Sequence, residues 1–400
     1  MHDTATTRHL FHLPEGATYL DGNSLGPLPK AVPDRLARML TAEWGDRLIG
    51  GWTSGWDGAG WMAAPGLVGD RIGRLIGAPD ATVMCGDTLS IKLYQALAAA
   101  LDMRPDRRVI LSDTGNFPSD LYMAQGLIRT LGRGHELRLV PPEAVADAID
   151  DSVAVLMLTE VDYRTGRLHD MRGLTRRAHA AGALAVWDLA HSAGAIPVDL
   201  AGAGADFAVG CTYKYLNGGP GAPAFIYVPT HHQAAAQPAL QGWLGHAAPF
   251  AFDPDYRPGP GIDRMRVGTP PMLQLAALDA ALDAFETTTL QALRARQIEL
   301  SERFIVAVEA GTDLVLASPR DPARRGAHVS LRHPQGYAVM QALIADGVIG
   351  DFRAPDILRF GICPLFNDGA DIDRAADTLI RILRDGRWDR PEYHERKAVT

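Results

Sequence analysis

The chain alternates short apolar runs with amphipathic segments over its first two thirds. Runs rich in Val, Ile, Leu and Phe predict buried strands, and segments with apolar residues every three or four positions predict helices between them. The predicted strands are 81–85, 108–112, 136–140, 153–160, 184–188, 206–210 and 224–227. The predicted helices are 64–76, 87–101, 120–131, 143–149 and 171–181. This alternation predicts an α/β fold with a mainly parallel, seven-stranded sheet that carries helices on both faces.

The pattern changes at Pro270-Pro271, where a long helical segment begins. This segment covers 272–309, with a break at 287–289. The strands predicted after it are 314–318, 327–332 and 357–362, and the helices are 337–345 and 371–384. We therefore expect three parts: an N-terminal arm over 1–60 that packs on the small domain, a large domain over 61–270, and a smaller C-terminal α+β domain over 271–400.

The first sixty residues are rich in glycine and turn formers, with one predicted helix over 32–43. Four tryptophans crowd the arm and its junction with the large domain: Trp44, Trp52, Trp56 and Trp61. They either anchor the arm to the main body or line an aromatic pocket, and the sequence leaves both interpretations open.

Composition excludes several classes of protein. Apolar residues make up 47% of the 400 residues and charged residues 22%, as in an ordinary globular enzyme. The net charge of −8 comes with no basic block, so we expect no nucleic-acid partner, and no apolar run suggests a membrane partner. The three cysteines lie far apart, which predicts reduced thiols, no metal site and a cytoplasmic location. The first four residues do not resemble a secretion signal.

The clearest chemistry lies in an aspartate that ends one strand and a lysine that follows the next. Asp188 closes an apolar run, and Lys214 comes 26 residues later. Ligands of doubly wound sheets bind beyond the carboxyl ends of the strands, where both residues lie. A lysine amine condenses with the aldehyde of pyridoxal 5′-phosphate (PLP), and a buried aspartate keeps its pyridine nitrogen protonated, so that the ring accepts electrons. The alternatives are a solvated lysine and an aspartate that caps a helix.

Two further segments suit such a cofactor. Residues 87–92 open a helix directly after a strand, the usual setting of a phosphate site, although Asp87 or Thr88 acting as a plain helix cap would give the same pattern. Phe117 and Asp120 follow the next strand and offer an aromatic face and a second acid, but a loop phenylalanine that packs inward would look the same.

Arg359 interrupts an apolar strand of the small domain, so it needs an anionic partner. The planar guanidinium matches the carboxylate of an amino-acid substrate. A salt bridge on an exposed sheet face is the alternative.

Seven motifs occur in order along nearly the whole chain. They are YLDGNSLGP at 19–27, FPSD at 117–120, DYRTG at 162–166, WDLAHSAGA at 187–195, DFAVGCTYKYLNGGPGAPA at 206–224, GWLGH at 242–246 and GTPP at 268–271. On this set the chain resembles the kynureninases, which are PLP enzymes of fold type I in the class V aminotransferase lineage. One departure is Lys92, where many relatives have asparagine.

The resemblance implies roles for the residues that match these motifs. Lys214 would hold PLP covalently, Asp188 would face the pyridine nitrogen, and Arg359 would bind the substrate carboxylate. The other cofactor contacts that it implies are Leu89, Ser90, Phe117, Pro118, Ser119, Asp120, Thr159, His191, Tyr213, Trp243 and Thr269. Trp243 and Thr269 would reach the phosphate from a neighbouring subunit, which implies a homodimer with shared active sites.

The resemblance also implies an activity. It is the hydrolysis of the Cβ–Cγ bond of L-kynurenine or 3-hydroxykynurenine, which gives anthranilate or 3-hydroxyanthranilate and L-alanine in tryptophan degradation and NAD biosynthesis. Lys214 would remove the α-proton, and Tyr213 is the candidate proton donor. The alternatives are another class V enzyme (an aminotransferase or a cysteine desulfurase) and a PLP-binding protein without catalysis. Cys85, Cys211 and Cys363 lie beside apolar strands, which argues against a desulfurase nucleophile.

Overall fold

The computed structural model describes residues 7–396, so the chain start examined for a secretion signal lies outside the described residues. The strands form two main sheets and two short two-stranded pairings. In chain order they are β1 Phe11–His12, β2 Thr18–Tyr19, β3 Leu28–Pro29, β4 Val83–Cys85, β5 Val109–Asp113, β6 Glu136–Val140, β7 Val153–Thr159, β8 Leu184–Asp188, β9 Phe207–Gly210, β10 Phe225–Tyr227, β11 Val315–Leu316, β12 His328–Arg332, β13 Val348–Ile349, β14 Asp351–Arg353 and β15 Ile357–Gly361.

The α-helices lie between and around these strands. They are α1 Ala31–Arg38, α2 Gly51–Ser54, α3 Ala64–Leu75, α4 Leu89–Asp102, α5 Pro118–Leu131, α6 Met171–Ala180, α7 Leu200–Ala203, α8 Thr230–Gln233, α9 Met272–Leu282, α10 Leu290–Gly311, α11 Gly336–Ala345, α12 Gly369–Arg384 and α13 Pro391–His394. Within the described residues, no helix has the length and apolar character needed to cross a membrane.

The large sheet has seven strands in the order β4-β10-β9-β8-β7-β5-β6. The five strands from β9 to β6 run parallel, and β10 is antiparallel to both of its neighbours. Every residue of β5, β7 and β8 is buried, which explains their continuous apolar runs. The carboxyl ends of the parallel strands meet at one edge of the sheet, and Thr159, Asp188 and the turn that carries Lys214 lie there.

The small sheet has the order β11-β12-β15-β14 and is antiparallel throughout. Helices α10, α11 and α12 supply the buried side chains that pack against it. The N-terminal arm reaches this part of the molecule, since β2 pairs with β13 and Asp21 bridges to Gly361.

The structure differs from the sequence prediction in one predicted helix and in several short elements that were not predicted. A helix over 143–149 is wrong, because the structure has only a 3-10 turn at Pro142–Ala144, followed by turns. The segment is short and follows two prolines, and only Val145 in it is fully buried, so packing gives little support to a longer helix. Strands β13 and β14 were not predicted, since runs of two and three residues show no alternation.

Two of the four tryptophans of the arm are buried and hold its local structure. Trp61 Nε1 donates to Glu43 Oε2 at 3.0 Å, the backbone N–H of Trp56 donates to the same oxygen at 2.8 Å, and Arg35 lies over the Trp56 ring. These contacts agree with the anchoring interpretation for Trp56 and Trp61, whereas Trp44 is exposed.

Candidate active site

Lys214 lies in the turn that follows β9, beside a histidine from the turn that follows β8. Its Nζ is 3.0 Å from His191 Nε2. Burial, and then the nearby positive charge of Lys214, hold the pKa of His191 well below its usual range. The imidazole is therefore neutral at physiological pH and presents a lone pair to the lysine amine.

Two buried carboxyl groups share the adjacent space. Thr159 Oγ1 lies 3.3 Å from Asp120 Oδ2 and 3.5 Å from Asp188 Oδ2, so the two carboxyl groups are close neighbours. Burial, and then the charge of Asp188, raise the pKa of Asp120 far above its usual range. Burial also raises the pKa of Asp188, but the charge of Lys214 and the N–H of Ala190, which Asp188 Oδ1 accepts at 2.7 Å, oppose that rise. Asp188 is thus the ionised member of the pair, and Asp120 is the protonated one.

Two helix N-termini converge next to the carboxyl pair. Thr88 occupies the cap position of α4 and Phe117 that of α5, but neither side chain caps its helix. Ser90 Oγ of the first turn of α4 lies 3.1 Å from Ser119 Oγ of α5. Uncapped N–H groups at two helix starts, together with two hydroxyls, form a suitable site for an anion such as a phosphate. Plain helix capping by Thr88, which the sequence left open, does not occur.

Asp87 does not cap α4 either. Its Oδ2 lies 2.9 Å from Nζ of Lys92, which is fully buried and also donates to the carbonyl of Met265 at 2.8 Å. Lys92 therefore links the first turn of the candidate phosphate helix to a segment some 170 residues later in the chain.

Asn116 is a site residue that the sequence reasoning missed. Its amide nitrogen donates to Ser112 Oγ at 3.0 Å, and its Oδ1 accepts hydrogen bonds from Thr159 Oγ1 and from the N–H of Phe117. It thereby joins the ends of β5 and β7 to the start of α5. An asparagine in a turn is usually structural, so only its position at a strand end could have marked it.

Phe117 is partly exposed, and its ring packs edge to face on Tyr163, with 5.1 Å between the ring centroids. Tyr163 belongs to the DYRTG motif, in which Asp162 Oδ1 accepts the N–H groups of Arg164 and Thr165 and closes a tight turn. Phe117 thus lies at the mouth of the site, on the side that faces the small sheet.

Arg359, which the sequence predicts to bind the substrate carboxylate, is paired with an acid of its own sheet in this structure. The residue is buried, and two of its guanidinium N–H groups already bind an acid: Nε donates to Asp351 Oδ1 at 2.6 Å and Nη2 donates to Asp351 Oδ2. Nη2 also donates to Ser24 Oγ at 3.2 Å, and Nη1 donates to the carbonyl of Tyr163. Neither a free bidentate clamp nor an exposed salt bridge is present. The guanidinium is held in a buried ion pair that leaves one Nη1 N–H available.

The N-terminal motif lies against the lysine turn. The N–H of Gly26 donates to the carbonyl of Tyr213 at 2.8 Å, and a Cβ at position 26 would lie 2.4 Å from the carbonyl oxygen of Lys214. Only glycine permits this approach, so the YLDGNSLGP motif supports the backbone that carries the lysine. Burial, and then Cys211, raise the pKa of the Tyr213 phenol, so it keeps its proton at neutral pH.

Trp243 and Thr269 lie apart from this cluster. The Trp243 ring contacts Phe250, both of the predicted residues are exposed, and no hydrogen bond or ring contact among residues 7–396 joins either to the group around Lys214. The structure therefore brings most of the predicted cofactor residues together around Lys214, and Arg359 faces them from the small sheet. The residues brought together are Leu89, Ser90, Phe117, Pro118, Ser119, Asp120, Thr159, Asp188, His191, Tyr213 and Lys214.

Comparisons with known proteins identify the family. Residues 293–379 match the family model of the kynureninase C-terminal domain. A kynureninase of Burkholderia pseudomallei (strain 1106a) is 51% identical over 404 residues, which cover 99% of this chain and 96% of the relative. The chain belongs to the kynureninase family. A second relative, the kynureninase of Pseudomonas fluorescens, is 49% identical over 405 residues with the same coverage. The resemblance drawn from the motifs is confirmed.

Solved structures confirm the fold class at low sequence identity. The apo cysteine desulfurase of Thermococcus onnurineus NA1 superposes with a TM-score of 0.81 at 18% identity and covers 95% of this chain and 98% of its own. A C-DES variant with glycine covalently linked to its PLP cofactor has a TM-score of 0.80, also at 18% identity, and covers 93% and 98% of the two chains.

Proposed function

We propose that this chain is a PLP-dependent kynureninase, a hydrolase that cleaves the Cβ–Cγ bond of L-kynurenine or 3-hydroxykynurenine. The products are anthranilate or 3-hydroxyanthranilate, together with L-alanine. Two kinds of evidence support this: 49–51% identity to kynureninases over nearly the whole chain, and the geometry around Lys214. The observation that carries the proposal is the lysine amine beside a neutral imidazole and a buried carboxyl pair at the carboxyl edge of the sheet.

The residues present fit PLP. Two buried polar atoms near Lys214, Asp120 Oδ1 and His191 Nδ1, have no hydrogen-bond partner within the described chain. Such atoms normally have partners, so a bound polar molecule is expected there. Lys214 would hold the aldehyde carbon, Asp188 the pyridine nitrogen, and the starts of α4 and α5 the phosphate. When bound, PLP supplies an electron sink for the charge that develops at the substrate Cα.

The side chains of the protein perform the proton transfers. The Lys214 amine takes the α-proton of the substrate, and His191 accepts a hydrogen bond from that amine and orients it. Asp188 would hold the ring nitrogen in its cationic form, and a protonated Asp120 would stabilise the charge of Asp188 as a neighbouring donor. Tyr213 keeps its phenolic proton and is the candidate donor to the carbon released when the Cβ–Cγ bond breaks.

The cysteines argue against a desulfurase, although the fold neighbours include one. All three cysteines are buried, and burial raises the pKa of Cys85 and of Cys363 to about 12 and also raises that of Cys211. A persulfide-forming cysteine must ionise and reach the substrate, and none of these thiols meets that requirement.

We also propose that the chain acts in the cytoplasm as a homodimer with shared active sites. Trp243 and Thr269 are exposed and not joined to the Lys214 cluster of their own chain in the described structure, so both are available to the site of a second copy. The free thiols agree with a reducing compartment.

The activity is tested with PLP-loaded protein and three substrates: L-kynurenine, 3-hydroxykynurenine and L-cysteine. We expect a fluorescent aminobenzoate and L-alanine in equal amounts from at least one of the first two, and no sulfide from the third. Lys214→Ala should abolish turnover, whereas a control substitution of the exposed Lys30→Ala should leave it unchanged. Sulfide release, or product formation without alanine, would reject the proposed reaction.

A further inference from the structure

His328 is a fully buried histidine in β12 that has no role in the site as described so far. Neither of its ring nitrogens has a hydrogen-bond partner in the part of the chain that the structure describes. A buried imidazole offers one donor and one acceptor, and native proteins rarely leave both unused. This observation indicates that a bound molecule completes its hydrogen bonding.

The sheet register places His328 next to Arg359. His328 pairs with Gly361 and Ser330 pairs with Arg359 in the β12–β15 ladder. Residues two apart on a strand share a face, so the imidazole and the guanidinium are diagonal neighbours on the same side of the small sheet. Asp351 on β14 pairs with Arg359 and belongs to the same face.

That face is turned towards the lysine. The His328 and His191 rings lie 5.6 Å apart between centroids, and His191 Nε2 is 3.0 Å from the Lys214 amine. The backbone of Gly166 packs against His328, and a side-chain Cβ at position 166 would lie 3.3 Å from His328 Nε2. The imidazole of His328 therefore lies between Arg359 on one side and the His191–Lys214 pair on the other.

The state of the imidazole selects the kind of partner. Burial, and then the charge of Arg359, lower the pKa of His328 to about 3, so the ring is neutral and carries a single N–H. The cations Arg359, Lys214 and Arg353 act on the ring against the acid Asp351, so an anion is the favoured partner for that donor. Four of the five N–H groups of Arg359 donate to Asp351, Ser24 and Tyr163, which leaves one Nη1 N–H free. A single N–H cannot bind both oxygens of a carboxylate.

We propose that His328 binds the substrate: one ring N–H donates to the α-carboxylate of the amino acid, while the remaining N–H of Arg359 binds the other oxygen. The proposal rests on the proposed function only in that the substrate is an α-amino acid. It assigns recognition of the carboxylate to two residues of adjacent strands, in place of a single bidentate arginine.

The test compares L-alanine with L-alaninamide, which lacks the anionic carboxylate. Binding of each to the PLP-loaded protein is followed by the shift in PLP absorbance, so the result does not depend on kynurenine turnover. His328→Leu should weaken L-alanine binding about tenfold or more, as expected for loss of a hydrogen bond to a charged group, and leave alaninamide within about twofold. His328→Gln keeps an N–H donor and should stay within about threefold of wild type for both.

Ser330→Ala is the matched control on the same sheet face, because the Ser330 hydroxyl donates to the carbonyl of Arg164 and not into the site. It should leave both affinities unchanged. If His328→Leu does not fold, His328→Met replaces it, since methionine also has no N–H donor and should show the same selective loss. An equal loss for alanine and alaninamide, or no loss for either, would overturn the proposal. A protein that shows this selective loss but does not cleave kynurenine would refute the proposed function alone.

Discussion

Replacement of Asp120 tests whether this carboxyl acts as a neutral hydrogen-bond donor. Burial and the charge of Asp188 raise the pKa of Asp120 far above its usual range, and Thr159 Oγ1 lies close to both acids. Asp120→Asn has the same shape, no charge and an N–H donor, so it reproduces the protonated acid. Asp120→Leu has the same branching at Cγ and no donor, and it is bulkier than aspartate.

The magnitude follows from one hydrogen bond to a charged acceptor. Such a bond contributes about 1.5–3 kcal/mol, which corresponds to about 10- to 150-fold in an equilibrium constant. Without the donor, the ionised form of Asp188 is less stable, and its interaction with the pyridine nitrogen of PLP weakens by a similar factor. We therefore expect the Kd for PLP to rise by about 10- to 150-fold in Asp120→Leu and to stay within about threefold of wild type in Asp120→Asn.

The assay is a titration of the apoprotein with PLP, followed by absorbance, with Asp188→Asn as the reference for loss of the charged acid. Asp188→Asn should be impaired at least as strongly as Asp120→Leu, because it removes the ionised group. If Asp120→Asn is as defective as Asp120→Leu, then Asp120 acts as an anion and the assignment of the proton within this pair is refuted.

Two further predictions concern stability. Burial and the charge of Asp351 raise the pKa of Asp21 to about 8, so the native state holds a proton that the unfolded state loses above its unfolded pKa of 3.8. The stability contributed by this group is therefore complete at low pH and is lost as the pH rises towards 8. We expect the free energy of unfolding of the wild type, measured with denaturant, to fall relative to that of Asp21→Asn by up to about 1.4 kcal/mol per pH unit between about pH 5 and about pH 8. If the two proteins show parallel curves of unfolding free energy against pH, this prediction is wrong. Lys92→Met leaves Asp87 without its cation and should lower the free energy of unfolding by about 1–3 kcal/mol. The double variant Lys92→Met/Asp87→Asn should regain at least half of the lost free energy of unfolding. A double variant no more stable than Lys92→Met would count against the ion pair.

The sequence was sufficient for the parts of the site that lie at strand ends. Asp188 and Lys214 follow buried strands, and parallel strands bring their carboxyl ends to one edge of the sheet, so their proximity was predictable. Asp120 came from its place after a strand and Thr159 from the family resemblance, and the Thr159 hydroxyl lies between Asp120 and Asp188 in the structure.

The small sheet was less predictable, because its site residues depend on pairing between short strands. Asp351 lies in a three-residue strand, and its pairing with Arg359 is set by the register of β14 on β15, which no periodicity reveals. His328 alternates with apolar residues in β12, as Ser330 does, and nothing in that alternation distinguishes a binding residue from a structural one. Its importance emerges only from the absence of a partner for its ring among the described residues.

The position of covalently held PLP tests the account most directly. The sequence has four lysines, Lys30, Lys92, Lys214 and Lys397, so borohydride reduction of the PLP-loaded protein, followed by digestion and mass spectrometry, gives an unambiguous answer. We expect the phosphopyridoxyl label on Lys214 alone, with the label lost in Lys214→Ala. A label on Lys30, Lys92 or Lys397, or no label on a protein that still cleaves kynurenine, would contradict the account.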